Sequence, residues 1–183
     1  MSLKSPKTKS PDNEKVFSFY IEQNSLKQAV NNDGLLLNKG AFDIVVKFSE
    51  PMGILVNASF NKKTYTESLK GTHIDKLEGF KNTGIAEGLL NADKEIFVSD
   101  KSPNYWYYDS DEDNRFNGIE KTIDGIVCKR SIENLFLLDK KNTIKISKVK
   151  KPLYLVLISY KRGENFMDRI EIQRHCLAIN WKE

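Results

Sequence analysis

The sequence predicts a mostly β protein: an antiparallel β-sandwich, or a partly closed barrel, of about eight or more short strands with one short helical insertion around residues 69–93. Three observations predict it. Apolar residues alternate with polar ones along most of the chain after Lys15. Pairs of such runs are joined by turn-forming residues, and one run late in the chain is apolar on both faces.

The first alternating run sets Phe17, Phe19 and Ile21 against Ser18, Tyr20 and Glu22. In an extended chain successive side chains point to opposite faces, so this is a strand with one buried side. Phe42, Ile44, Val46 and Phe48 repeat the pattern, as do Ile54, Val56, Ala58 and Phe60. Between them Ser49-Glu50-Pro51-Met52-Gly53 has turn composition, which predicts a hairpin over 42–60. Ile74, Leu77 and Phe80 have helical spacing, and Ala86 and Leu89 extend it; Gly79, Gly84 and Gly88 keep any helix short.

Ile119–Ile123 and Ile126–Arg130 flank Asp124-Gly125, the two-residue signature of a tight hairpin. Ile132–Leu138 and Ile144–Val149 bracket a second one. Leu153–Tyr160 is apolar at both parities, which predicts a central strand covered on both faces. A last strand, Arg169–Trp181, changes phase: Ile170 and Ile172 share one parity, Leu177, Ile179 and Trp181 the other. One extra residue, a β-bulge near Arg174–Cys176, reconciles them.

At 183 residues the chain suits one sandwich domain over residues 16–183. Residues 1–15 read as a disordered polar tail, with Lys4, Lys7, Lys9 and Lys15 among serines and prolines. The tail is either a native extension or the tether that follows a removed export signal. A net charge of +4, from 29 basic and 25 acidic residues, is too balanced for a dedicated nucleic-acid binder. No apolar run reaches the ~18 residues of a membrane span. Cys128 and Cys176 read as two buried thiols or as one disulfide, and no Cys–His cluster suggests zinc.

Three stretches carry candidate chemistry. Ordinary edge-strand packing explains Tyr105, Trp106, Tyr107 and Tyr108 with no ligand at all; the alternative is stacking on a glycan, since flat rings match the apolar face of a sugar. Asp109, Asp111, Asp113 and Glu120 fall at positions one, three, five and twelve of a calcium loop. Asn114 stands where the turn wants glycine and no helices flank the loop, so an EF-hand is excluded. A non-helical calcium loop or a solvated acidic turn remains. Lys140, Lys141, Lys145, Lys148, Lys150 and Lys151 form a basic hairpin, suited to phosphates or anionic headgroups, or to blocking edge-to-edge strand pairing.

No nucleophile elbow, phosphate loop or zinc-protease motif occurs. His175 and Cys176 are adjacent, so a regular strand points them to opposite faces. The sequence therefore reads as a non-catalytic binding or assembly module of the cell envelope or exterior, contacting a protein partner, or a glycan, through loops and a strand edge. Two other readings stand beside it. One is an intracellular protein whose lysines touch nucleic acid or another acidic surface. The other is a hydrolase built on a carboxylate pair from distant strands.

Overall fold

The computed structural model describes residues 17–49, 53–73, 76–77, 80–82, 89–91, 105–107, 118–137, 142–162, 164–165 and 169–183. Two five-stranded sheets carry the architecture. The first runs in the order β2 (Leu26–Lys27), β1 (Phe17–Gln23), β4 (Phe42–Phe48), β10 (Gly125–Ile132) and β9 (Gly118–Thr122), antiparallel throughout. The second runs β3 (Leu35–Leu37), β14 (Arg169–Trp181), β13 (Leu153–Arg162), β5 (Gly53–Ser59) and β8 (Tyr105–Tyr107). It is antiparallel except where β3 lies parallel to β14. Two small hairpins pair β6 (Phe80–Asn82) with β7 (Leu89–Asn91), and β11 (Asn134–Leu137) with β12 (Asn142–Lys145).

The alternation places the core. Ile21, Phe42, Ile44, Phe48 and Cys128 of the first sheet meet Ile54, Val56, Leu155, Leu157, Leu177 and Ile179 of the second in one buried cluster. Each such side chain contributes about 1.5–3 kcal/mol relative to exposure, which is why the two sheets stay face to face. Leu135, Ile146 and Val149 join the same cluster from the β11–β12 hairpin and the 3-10 turn Ile146–Lys148 that follows it. β13 is buried on both faces, as its sequence predicts. Val156 and Ile158 point away from the sandwich and pack with Leu55 and Leu77 in a second cluster.

The short helix is present but one element earlier than its predicted span. It is α1 (Lys62–Leu69), and β6 and β7 fall within 69–93 instead. Asn61 starts it, its side chain accepting hydrogen bonds from the backbone N–H groups of Lys63 and Thr64. Gly71, at φ +83°, follows its end. Much of the predicted span, including Ile74, Gly79 and residues 83–88, lies outside the described residues; the cap that the structure uses is Asn61.

The 42–60 hairpin is corrected: β4 pairs with β1 and β10, while β5 belongs to the other sheet. Period-2 alternation fixes which side of a strand is buried. It does not say whether the next strand lies beside it or crosses the core. The β9–β10 hairpin holds, with its tip one residue earlier than predicted. Thr122 pairs with Gly125, so Ile123-Asp124 form the turn. Gly125 adopts φ +134°, and a Cβ there would lie 2.2 Å from the Phe48 carbonyl oxygen.

The bulge in β14 is real and lies earlier than predicted. Gln173 pairs with Ser159 and Glu171 with Tyr160, leaving Ile172 as the extra residue. Ile170 thereby returns to the side of Leu177 and Ile179, beyond the end of the core.

Candidate functional site

The first sheet ends on β9, and among the described residues no strand pairs with its outer edge. Every residue from Ile119 to Asp124 is exposed. Ile119 keeps 40% of its surface and Ile123, at the hairpin tip, all of it. The hairpin fixes which backbone groups face outward. Thr122 and Gly125 flank a two-residue turn and so exchange both hydrogen bonds. Ile119, opposite Cys128, falls in a non-hydrogen-bonded pair, so its N–H and C=O point away from β10. Edge, exposed isoleucines and open backbone groups form one continuous feature.

The rest of that sheet's outer face is occupied by its own charges. Lys129 bridges Glu22 at 2.5 Å and Asp43 at 3.8 Å, and the Ser131 hydroxyl donates to Asp43 at 2.6 Å. Lys27 and Lys47 sit over the Tyr20 ring, 4.8 and 5.9 Å from its centroid. Partial burial and the Glu22 carboxylate raise the Tyr20 phenol above its ordinary range. A face this well paired offers a partner little uncompensated charge.

The residues singled out in the sequence divide as follows. Tyr105, Trp106 and Tyr107 form β8, the terminal strand of the second sheet, in register with Leu55, Ile54 and Gly53. Tyr108 and the calcium-loop aspartates Asp109, Asp111 and Asp113 lie outside the described residues, as do Lys140, Lys141 and residues 1–15. Glu120 is exposed on β9, opposite Val127, with its direction set by the ladder. Among the described residues no group of acidic, His or Cys side chains could hold a metal ion. Lys145, Lys148, Lys150 and Lys151 are all exposed.

Cys128 is wholly buried in the sandwich core, while Cys176 lies on the far face of the second sheet; both thiols are free. A bond between them would have to pass through a sheet. Burial pushes the Cys128 thiol up to about 12. It also raises Cys176, against the opposing pull of a Ser68 hydrogen bond and the Arg174 charge. His175 faces inward, as its neighbour's direction requires. Its Nε2 lies 3.1 Å from the Phe17 carbonyl, and the rings of Phe17 and Phe19 pack on it. Gln173, on the same side, accepts a hydrogen bond from the Phe17 N–H at 2.9 Å. The two residues fasten β14 to β1 across the sandwich.

Sequence reasoning missed a polar layer under α1. The helix buries Thr64 and Ser68 rather than apolar residues, and Tyr65 stacks on Tyr154 at 4.8 Å. What docks it is Arg174. One guanidinium nitrogen donates to the Ser68 carbonyl at 2.9 Å, the Thr72 carbonyl at 2.8 Å and the Ser68 hydroxyl at 3.2 Å. The other two hold the Glu171 carboxylate at 2.7 Å each. Residues three apart in a regular strand face opposite ways; the bulge at Ile172 puts Glu171 and Arg174 on one side. Asn57 lies on the same face and is buried with neither amide atom bonded. The available signal was Ile170–Leu177 parity, which implied a bulge but not which pair it would join.

Comparison with protein-family models, with curated proteins and with solved structures finds no match for the chain. No described helix is long and apolar enough to cross a membrane.

Proposed function

We propose that the chain is a non-catalytic binding or assembly module of the cell envelope or exterior that captures a protein partner by strand addition at β9. The observation that carries this is the exposed β9 strand, which pairs with no outer strand among the described residues and ends on the bare Ile123 side chain. An added strand would take up the outward N–H and C=O of Ile119 and gain apolar contact with Ile119 and Ile123. The paired charges on the neighbouring face steer the contact to the edge.

The test is a photo-crosslinking residue at position 123 in cells of the native host, compared across three backgrounds. Wild type and Ile119→Ala should give the same discrete adduct. Ile119→Pro removes one outward donor without touching the β10 ladder and should abolish the adduct. An adduct that survives Ile119→Pro would rule out strand addition.

A further inference from the structure

One end of the sandwich is a lysine platform assembled from four separate parts of the chain. At this end β3 and β14 finish, with Leu37 paired to Trp181. β4 and β13 begin here, Phe42 pairing with Ile132 and Tyr154 with Ser59. The Phe42 and Trp181 rings, 6.4 Å apart, tie the two sheets' ends together. The Trp181 indole N–H donates to the Lys151 carbonyl at 2.8 Å, and the Lys182 N–H to that of Leu37 at 2.8 Å.

The buried side of this end is plugged by Leu135, Ile146 and Val149, which turns the intervening lysines outward. Lys145, Lys148, Lys150 and Lys151 are joined there by Lys39 from the β3–β4 connection, Lys62 from the first turn of α1 and Lys182 after β14. All are exposed, and among the described residues none makes an ion pair. Among the described residues the acidic side chains at this end are Glu133, Glu183 and, beside Asn180, Asp33. Glu22 and Asp43, just inside it, are already held by Lys129. Two exposed apolar side chains share the end: Leu26, beyond the β1–β2 turn, and Leu36, opposite Asn180.

We infer that this end docks on an anionic lipid surface. Seven exposed point charges, six with no side-chain partner among the described residues and Lys151 lying over the Phe60 ring at 5.8 Å, spread over the blunt end of the sandwich and match a broad sheet of headgroups. Leucines beside them suit the headgroup–acyl boundary and have no role against a phosphate backbone. The described lysine end contains no arginine for bidentate phosphate or base recognition. Its aromatic rings, Phe60 and Trp181, are packed against the core rather than offered for base stacking.

The experiment is co-sedimentation of the full chain with vesicles of phosphatidylcholine with and without phosphatidylserine. Binding is expected only with phosphatidylserine, and should vanish near 1 M salt, where charges are screened within about 3 Å. Each lysine at such a surface is worth about fivefold, so Lys148→Gln/Lys150→Gln/Lys151→Gln should weaken binding about 100-fold. Lys39→Gln/Lys62→Gln/Lys182→Gln, on other elements, should do the same, and unchanged melting curves verify the fold of each. Substituting Lys4, Lys7, Lys9 and Lys15 by glutamine should leave most of the binding. Equal binding to both vesicles, binding carried by residues 4–15, or binding to a DNA duplex in preference to vesicles would each overturn the inference.

Discussion

Arg174→Ala should be the most damaging single change on the surface of the second sheet. The guanidinium is 10% exposed and its partner Glu171 21%. Its removal strips a bidentate partner from a part-buried carboxylate, takes the guanidinium from the Thr72 carbonyl and leaves the Ser68 carbonyl with only the Gly71 N–H. Breaking a buried pair on one side costs roughly 3–5 kcal/mol. Because Glu171 keeps some water, the lower end applies, about 3 kcal/mol. In a chain of this size that lowers the melting temperature by about 6–12 °C. The loss should also be local, since α1 buries only Thr64 and Ser68 and has little apolar grip of its own. Urea unfolding gives the magnitude, and amide exchange at Lys70, Gly71 and Thr72, all hydrogen-bonded back into the helix, gives the location. Arg174→Lys should rescue little, because an ammonium cannot span Glu171 and two carbonyls. A loss below about 1 kcal/mol with α1 amides still protected would refute the claim that Arg174 docks the helix.

Three further outcomes follow from the packing. Gly125→Ala should cost about 2 kcal/mol or more in urea unfolding, since a Cβ meets the Phe48 carbonyl at 2.2 Å and φ is +134°. Asn57→Leu should hold or raise stability by about 1 kcal/mol, because a buried amide without partners is replaced by a side chain that needs none; a clear loss would mean that the amide is bonded. The Cys128 thiol, at about 12 in the fold against 9.0 outside it, stays protonated in the native state while the unfolded chain ionises first. That stabilisation is intact below about pH 9 and declines towards pH 12, by at most about 1.4 kcal/mol per pH unit. Cys128→Ala should flatten this part of the pH–stability curve, and an unchanged slope would assign it elsewhere.

Strand existence was legible because alternation reports burial directly. Phe17–Ile21, Phe42–Phe48 and the Leu177–Trp181 half of β14 are legible with their buried sides, whereas Ile170 and Ile172 lie outside the core. The doubly apolar Leu153–Tyr160 announced a strand covered on both faces; β5 is covered on both faces too, its outer side carrying the polar Asn57 and Ser59. Sheet membership was not legible. Nothing in the residues from Phe42 to Phe60 distinguishes a hairpin from a crossing, because both bury the same parity. The open edge of β9 was half visible, in the Asp124-Gly125 turn, but its terminal place depends on β4 taking β10's other side. The lysine end shows the same limit from another direction. Lys145–Lys151 is a cluster in sequence, whereas Lys39, Lys62 and Lys182 reach it only through the register of β3, β5 and β14.

The place of β14 constrains how this protein can fold as it is made. β3 is produced early and β14 last of the described strands, yet among the described residues β14 is the only strand that pairs with β3, and it is the neighbour that closes β13. A nascent chain lacking residues 169–181 holds the first sheet's strands but leaves β3 unpaired, α1 without Arg174 and the inner faces of β13 and β5 half covered. Ribosome-bound intermediates should therefore remain protease-sensitive until β14 emerges, and folding should be slow and non-local rather than progressive. In the cell this makes the last strand a checkpoint: chains cut short before it expose the apolar faces that quality-control proteases and chaperones recognise.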